Sequence, residues 1–284
     1  MKCKVFLNFV FFMMSCVPFY SFSDVTILSP LGTSVTFSDK KTGENYDSYS
    51  WGVLTFKGKK GDVDLGIKDR YFTEDGSSKV SPSGRYLVVN SVSGGYLQNE
   101  AGEKEYVDKA FCSVVDMKNG CYVSDWDGEA CGYEWNENED VLENSQGTDK
   151  FDFLSFRPKI DDVKDSLSSL SELTVRRYMR CDSPGINNIN IYSRLSQVNK
   201  ASKLIVNEGV LEYLKGVTEE KMIIQKSFLY SSPNDGGKTA SYLVAGDKVK
   251  ILQFSKDRQW INVGYINVKG TPLVAWILAE FIDK

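Results

Sequence analysis

From residue 221 to residue 284 short β-rich runs alternate with turn residues, a pattern that fits a small antiparallel β unit. Met222–Ile224 and Phe228–Tyr230 are apolar. Pro233-Asn234-Asp235-Gly236-Gly237 then breaks the chain, because proline presets φ and glycine tolerates positive φ. Tyr242–Val244 leads into the turn Ala245-Gly246-Asp247, and Val249, Ile251 and Phe254 follow at strand-like spacing. After Lys256-Asp257-Arg258 come Trp260–Val263, the turn Lys269-Gly270, and Val274–Leu278. Five or six short strands at this spacing predict a small barrel.

These residues resemble the bacterial Src-homology-3 barrel (SH3b) of secreted and cell-wall proteins. Leu229-Tyr230-Ser231-Ser232-Pro233 is similar to its first strand and opening loop. Leu243-Val244-Ala245-Gly246-Asp247-Lys248-Val249 is similar to its next strand pair, and Trp260-Ile261-Asn262-Val263 to its tryptophan-bearing strand. Ala275-Trp276-Ile277 stands where the family usually has glycine before the tryptophan, and Phe281-Ile282 stands at the close. The resemblance implies an SH3-like domain over 221–284 that binds rather than catalyses.

At 284 residues, 42% hydrophobic and 25% charged, the chain has the size of two domains. The N-terminus reads as a signal peptide over 1–23. Lys2 and Lys4 make a positive end, Val5–Met14 is a short apolar run, and Ser21-Phe22-Ser23 offers small residues for cleavage before Asp24. Lipid attachment through Cys16 is the weaker expectation, because Met13 is a poor match to a lipid-attachment motif. No transmembrane segment is expected in the mature chain. Cleavage removes two lysines and leaves 32 Lys and Arg against 38 Asp and Glu, a net −6. That balance disfavours nucleic acid and anionic lipid, which call for basic surface, and favours a basic partner. A periplasmic or secreted protein is the expectation.

Cysteine use agrees with export. Cys3 and Cys16 fall in the leader, and Cys112, Cys121, Cys131 and Cys181 remain, an even number that predicts two disulfides with three possible connectivities. A zinc site would want close cysteine pairs, which are absent, so no metal is expected.

Residues 24–158 read as a β-rich domain. Val25–Leu28, Ser34–Phe37, Trp51–Phe56, Val63–Ile67 and Tyr86–Asn90 are short runs separated by glycine turns. The stretch Val80–Val89 is similar to a strand of propeller blades, and Cys112–Gly120 to the hairpin that follows it, so part of 80–140 has a weak propeller resemblance. The segment has room for two or three blades where a closed propeller takes at least four, so an antiparallel open sheet or sandwich is the prediction. Glu134, Glu137, Glu139 and Asp140, with Glu143, read as a solvated loop or as an acidic contact surface. Asp125-Trp126-Asp127-Gly128 lacks the remaining acids of a calcium loop.

Beyond Arg157-Pro158, residues 159–220 form a connecting segment. Ile160, Val163, Leu167, Leu170 and Leu173 predict one amphipathic helix over roughly 160–180, with Asp161, Asp162 and Asp165 early and Arg176, Arg177 and Arg180 late, as the helix dipole prefers. Leu204–Val206 and Val210–Leu214 around Asn207-Glu208-Gly209 predict a hairpin, since a helix would hold a costly glycine. The fold class is therefore mainly β: an N-terminal antiparallel β domain with one helix, then the small barrel.

The chain contains no histidine, which excludes Ser–His–Asp and Cys–His nucleophile systems. Asp235-Gly236-Gly237-Lys238-Thr239 lacks the glycine spacing of a phosphate loop. A pair of carboxylates for glycoside hydrolysis is compatible with the many acids, but the expectation is a non-enzymatic protein without cofactors. The aromatics carry the binding hypothesis. Tyr230, Tyr242, Trp260, Tyr265 and Trp276 are the candidate groove residues, with core packing of Trp260 and Trp276 as the competing reading. Two functions compete. One is an exported protein-binding protein, for example an immunity protein against a periplasm-acting toxin. The other is a module that binds cell-wall peptide in peptidoglycan.

Overall fold

A computed structural model describes residues 24–46, 49–74, 79–99, 102–127 and 131–283. The expected signal peptide, its cleavage site and Cys16 lie outside the described residues. The chain is mainly β, in three antiparallel sheets, with a helical segment that follows the second in sequence and packs on the third.

The first sheet has nine strands. They are β1 (Val25–Leu28), β2 (Ser34–Lys40), β3 (Ser50–Gly58), β4 (Gly61–Asp64), β5 (Tyr71–Thr73), β6 (Lys79–Val80), β7 (Tyr86–Gln98), β8 (Lys104–Asp116) and β9 (Cys121–Asp127). Their order is β1-β2-β3-β5-β7-β8-β9, with β4 beside β3 and β6 beside β7. The strands form one continuous open sheet rather than blades. β7 and β8 pair along their whole length, from Tyr86↔Asp116 to Gln98↔Lys104. The turn into β9 uses Gly120 at φ +71°, a conformation glycine adopts without steric cost.

Alternation along β7 explains how this sheet is buried on two faces. Leu87 and Val89 join Phe37, Leu54, Phe56 and Val115 in one core. Tyr86 and Val88 point the other way and join Val114, Val123, Leu142 and Phe153 in a second. The second face is covered by a three-stranded sheet of β10 (Glu134–Trp135), β11 (Leu142–Glu143) and β12 (Lys150–Phe151), and by the 3₁₀ turn Phe153–Phe156. Both disulfides lie here. Cys112 is bonded to Cys131 and Cys121 to Cys181, with Cα–Cα distances of 5.5 and 5.0 Å.

The segment 159–220 departs from expectation twice. The long helix is confined to α1 (Glu172–Cys181), and residues 160–169 hold two 3₁₀ turns instead. Serines account for the break: the hydroxyls of Ser166 and Ser169 donate to the carbonyls of Val163 and Ser166, competing with helical backbone bonds. Ser171 then caps α1 by accepting from the Thr174 N–H at 3.1 Å. The predicted hairpin is absent; α2 (Ile189–Val198) and α3 (Lys203–Gly216) are helices. Val206, Val210 and Leu214 recur at four-residue steps and are all buried, so burial outweighs the cost of Gly209. Gly209 lies where α3 meets α1: a β-carbon there would fall on the Met179 Cε atom.

The third sheet comprises β13 (Glu220–Met222), β14 (Ser227–Tyr230), β15 (Lys238–Leu243), β16 (Lys248–Phe254), β17 (Trp260–Ile266) and β18 (Pro272–Leu278). The order β13-β16-β17-β18-β14-β15 is an open path, with no pairing between β13 and β15 among the described residues. One face carries a core of Ile223, Leu229, Val249, Ile261, Val263 and Ile277. The other receives the helices, whose buried residues Tyr192, Leu195, Val210 and Leu214 pack with Val274. Among the described residues no helix is long and apolar enough to cross a membrane.

Candidate functional site

The antiparallel pair β14–β15 sets out the candidate site. Phe228 faces Tyr242 and Ser227 faces Leu243, but Tyr230 faces Lys238, so a bulge places Thr239–Ser241 against Leu229 alone. Such a bulge bends its strand; the other side of the site is the turn between β17 and β18. Between them lies a cavity of about 170 Å³ lined by Leu229, Ser241, Tyr242, Leu243, Tyr265 and Leu273, with Asn267, Thr271 and Pro272 at the turn. Its floor is core, since Leu229 and Leu243 are buried members of the sheet's apolar cluster.

Two of the five candidate aromatics line this cavity. Tyr242 is half exposed on β15. Tyr265 is fixed from below: its hydroxyl donates to Asp247 Oδ1 at 3.3 Å, and Asp247 Oδ2 accepts from the Val244 N–H at 2.8 Å. Burial, then the Asp247 carboxylate, raises the Tyr265 phenol above its ordinary range, so it remains a neutral donor. The other three candidates form a separate buried cluster. Tyr230, Trp260 and Trp276 are 8%, 6% and 9% exposed, and the Tyr230 and Trp260 rings meet edge to face at 4.7 Å. None of the three lines the cavity.

Lysines border the same hairpin. Lys226 Nζ lies 4.2 Å from the Tyr242 ring centroid, and Lys238 Nζ lies 3.9 Å from that of Phe228. The sequence reading did not single out Lys226, Ser241 or Leu273, and weighed Lys238 only as part of a phosphate loop. They come together through the bulge and the β17–β18 turn, which no local pattern announces.

The acidic stretch is divided by the fold. Glu134, Glu137 and Glu139 are exposed, whereas Asp140 accepts from the Ser83 N–H at 3.1 Å and from the Ser83 hydroxyl. Glu143 pairs with Lys150 at 3.3 Å. Asp125 and Asp127 are engaged by Arg70 and Lys109 at 2.9 and 3.3 Å. Among the described residues no group of three or more Cys, Asp or Glu is placed to hold a metal ion. Cys112, Cys121, Cys131 and Cys181 are all consumed in disulfides.

The most strongly held charge lies elsewhere, at Asp116. It is fully buried, paired with Arg157 Nη2 at 2.6 Å and with Arg85 Nη2 at 3.1 Å, and it accepts from the Lys118 N–H at 3.0 Å. Arg157 also donates to the Cys181 carbonyl at 3.2 Å. This cluster joins β8 to the start of the helical segment and is structural in its placement. A comparison with protein families, with curated proteins and with solved structures gives no significant match to the chain.

Proposed function

We propose that the chain is an exported, non-enzymatic binding protein that recognises a segment of a partner polypeptide at the Tyr242–Tyr265 cavity. The observation that carries this reading is the cavity itself. At about 170 Å³ it falls below the roughly 300–1,000 Å³ usual for small-molecule sites, and it suits one side chain of a larger partner. Its aromatic and apolar walls over a rigid floor, with polar groups at the rim, are the composition of a peptide-recognition surface. The two disulfides support a location outside the reducing cytoplasm. The resemblance of 221–284 to SH3b domains gives the same kind of function. Its short antiparallel strands and aromatic content agree with that resemblance, while its strands follow an open path instead of the closed barrel it implies.

An immunity protein that blocks a toxin acting in the periplasm is the form of this activity we favour over a peptidoglycan-binding module. Cosedimentation with purified peptidoglycan sacculi separates the two. The chain is expected to stay in the supernatant. Cosedimentation that Ser241→Trp, which fills the cavity, abolishes would overturn the protein-partner reading and establish the wall-binding one.

A further inference from the structure

β15 ends its sheet. Among the described residues it pairs with β14 alone, and all five residues from Lys238 to Tyr242 are exposed. Its outer side therefore offers backbone groups to another strand, apart from the Ser241 N–H, which donates to Thr239 Oγ1 at 3.2 Å, and its last residues, Ser241–Leu243, form one wall of the cavity. Sheet edges of this kind take extended peptides by strand addition, with alternate side chains entering flanking pockets.

The local charge selects the partner. The net −6 of the mature chain is unevenly distributed: residues 221–284 hold nine Lys and Arg against five Asp and Glu, a net +4, so the excess of acid belongs to 24–220. Beside β15, Lys226 and Lys238 lie over aromatic rings, and among the described residues neither has a carboxylate partner. The basic partner expected from the overall charge does not suit this edge. Lys238 and the bulge also oppose pairing between two copies of β15, because such pairing brings like charges together on a bent strand. Carboxylates opposite Lys238 reverse that term.

We propose that an extended, acidic segment of the partner polypeptide adds as a further strand to the outer edge of β15 and seats one apolar side chain in the Tyr242–Tyr265 cavity. This rests on the binding function proposed above and adds the backbone mode and the charge of the ligand.

The test uses the full chain, isotope-labelled, and two pools of synthetic ten-residue peptides. Both pools have an aromatic or aliphatic centre, flanked by Asp and Glu in one and by Lys in the other. The acidic pool is expected to shift the amide signals of 238–243. N-methylation of alternate backbone nitrogens in its best member should weaken binding about tenfold, as should Lys238→Glu. Binding that moves the cavity residues but is indifferent to N-methylation overturns strand addition and leaves the cavity reading standing. Equal or better binding of the lysine pool overturns the acidic ligand. Binding of neither pool at 238–243 or at Tyr265 and Leu273 overturns this inference together with the function beneath it.

Discussion

Leu214, in the last turn of α3, occupies the space directly over Gly264 in β17, where a β-carbon would overlap its Cδ2 atom. The contact joins the helical layer to the sheet that holds the candidate site. Leu214 is wholly buried, so Gly264→Ala is expected to destabilise the protein by about 1–3 kcal/mol through overpacking. Gly209→Ala is the control. Its added carbon meets the flexible end of Met179, and replacing a mid-helix glycine recovers up to about 1 kcal/mol of helix propensity. Urea midpoints of the two variants measure this. A similar loss in both would mean that the two helix contacts are equally tight.

The disulfides should differ in value. Cys121–Cys181 closes a sequence separation of 60 residues and Cys112–Cys131 one of 19. On a chain-entropy account these correspond to about 4 and about 3 kcal/mol. Serine replacement of each pair should lower the melting temperature, more for the Cys121–Cys181 pair, which ties β9 to the end of α1. Mild reduction that left melting unchanged would mean that neither bond forms in solution.

Asp116 supplies the pH dependence. Burial alone would raise its pKa, but hydrogen bonds from Arg85, Arg157 and the Lys118 N–H outweigh this and hold it below its ordinary value of 3.8. A carboxylate with a depressed folded pKa contributes its stability in full above the unfolded value and loses it as pH falls through the folded one. Asp116→Asn leaves two arginines facing an uncharged group, and the expected cost at neutral pH is about 3 kcal/mol. The gap between wild type and variant should narrow as pH falls below about 4. A gap that stays constant to pH of about 3 would show that Asp116 does not carry its charge in this pairing.

The helical layer should fold with the third sheet rather than apart from it. Val274, Leu252 and Ile266 pack against Ile189, Tyr192 and Leu195, and Asn262 Nδ2 donates to Asn190 Oδ1 at 2.7 Å. A fragment covering 159–284 keeps this core whole and is expected to melt well above 221–284 alone. Equal melting temperatures would show that the sheet does not need the helices.

Much of the strand pattern was legible because a two-residue period survives in isolation. Val25–Leu28 is β1 as read, and Lys118-Asn119-Gly120 makes the turn before β9. The helices were less legible. Gly209 argued for a hairpin because the sequence does not show that Met179 lies across from it, and the apolar spacing of 160–173 suggested one helix because the serine hydroxyls that divide it act only locally. For the candidate site, aromatic content pointed to the third sheet but not to which of its rings face outward. Tyr242 and Tyr265 line the cavity, while Trp260, Trp276 and Tyr230 pack on each other, a division set by strand register.

The central claim is that the end of β15 is where a partner polypeptide is held. A photo-crosslinking amino acid at position 239, exposed on β15 and outside the cavity lining, carried by the chain in the cells that produce it, tests that most directly. The claim predicts one crosslinked polypeptide from position 239, abolished by Leu273→Arg in a chain that still folds, and none from position 59, an exposed lysine on the first sheet. Crosslinks to glycan alone, or the same products from both positions, would contradict it.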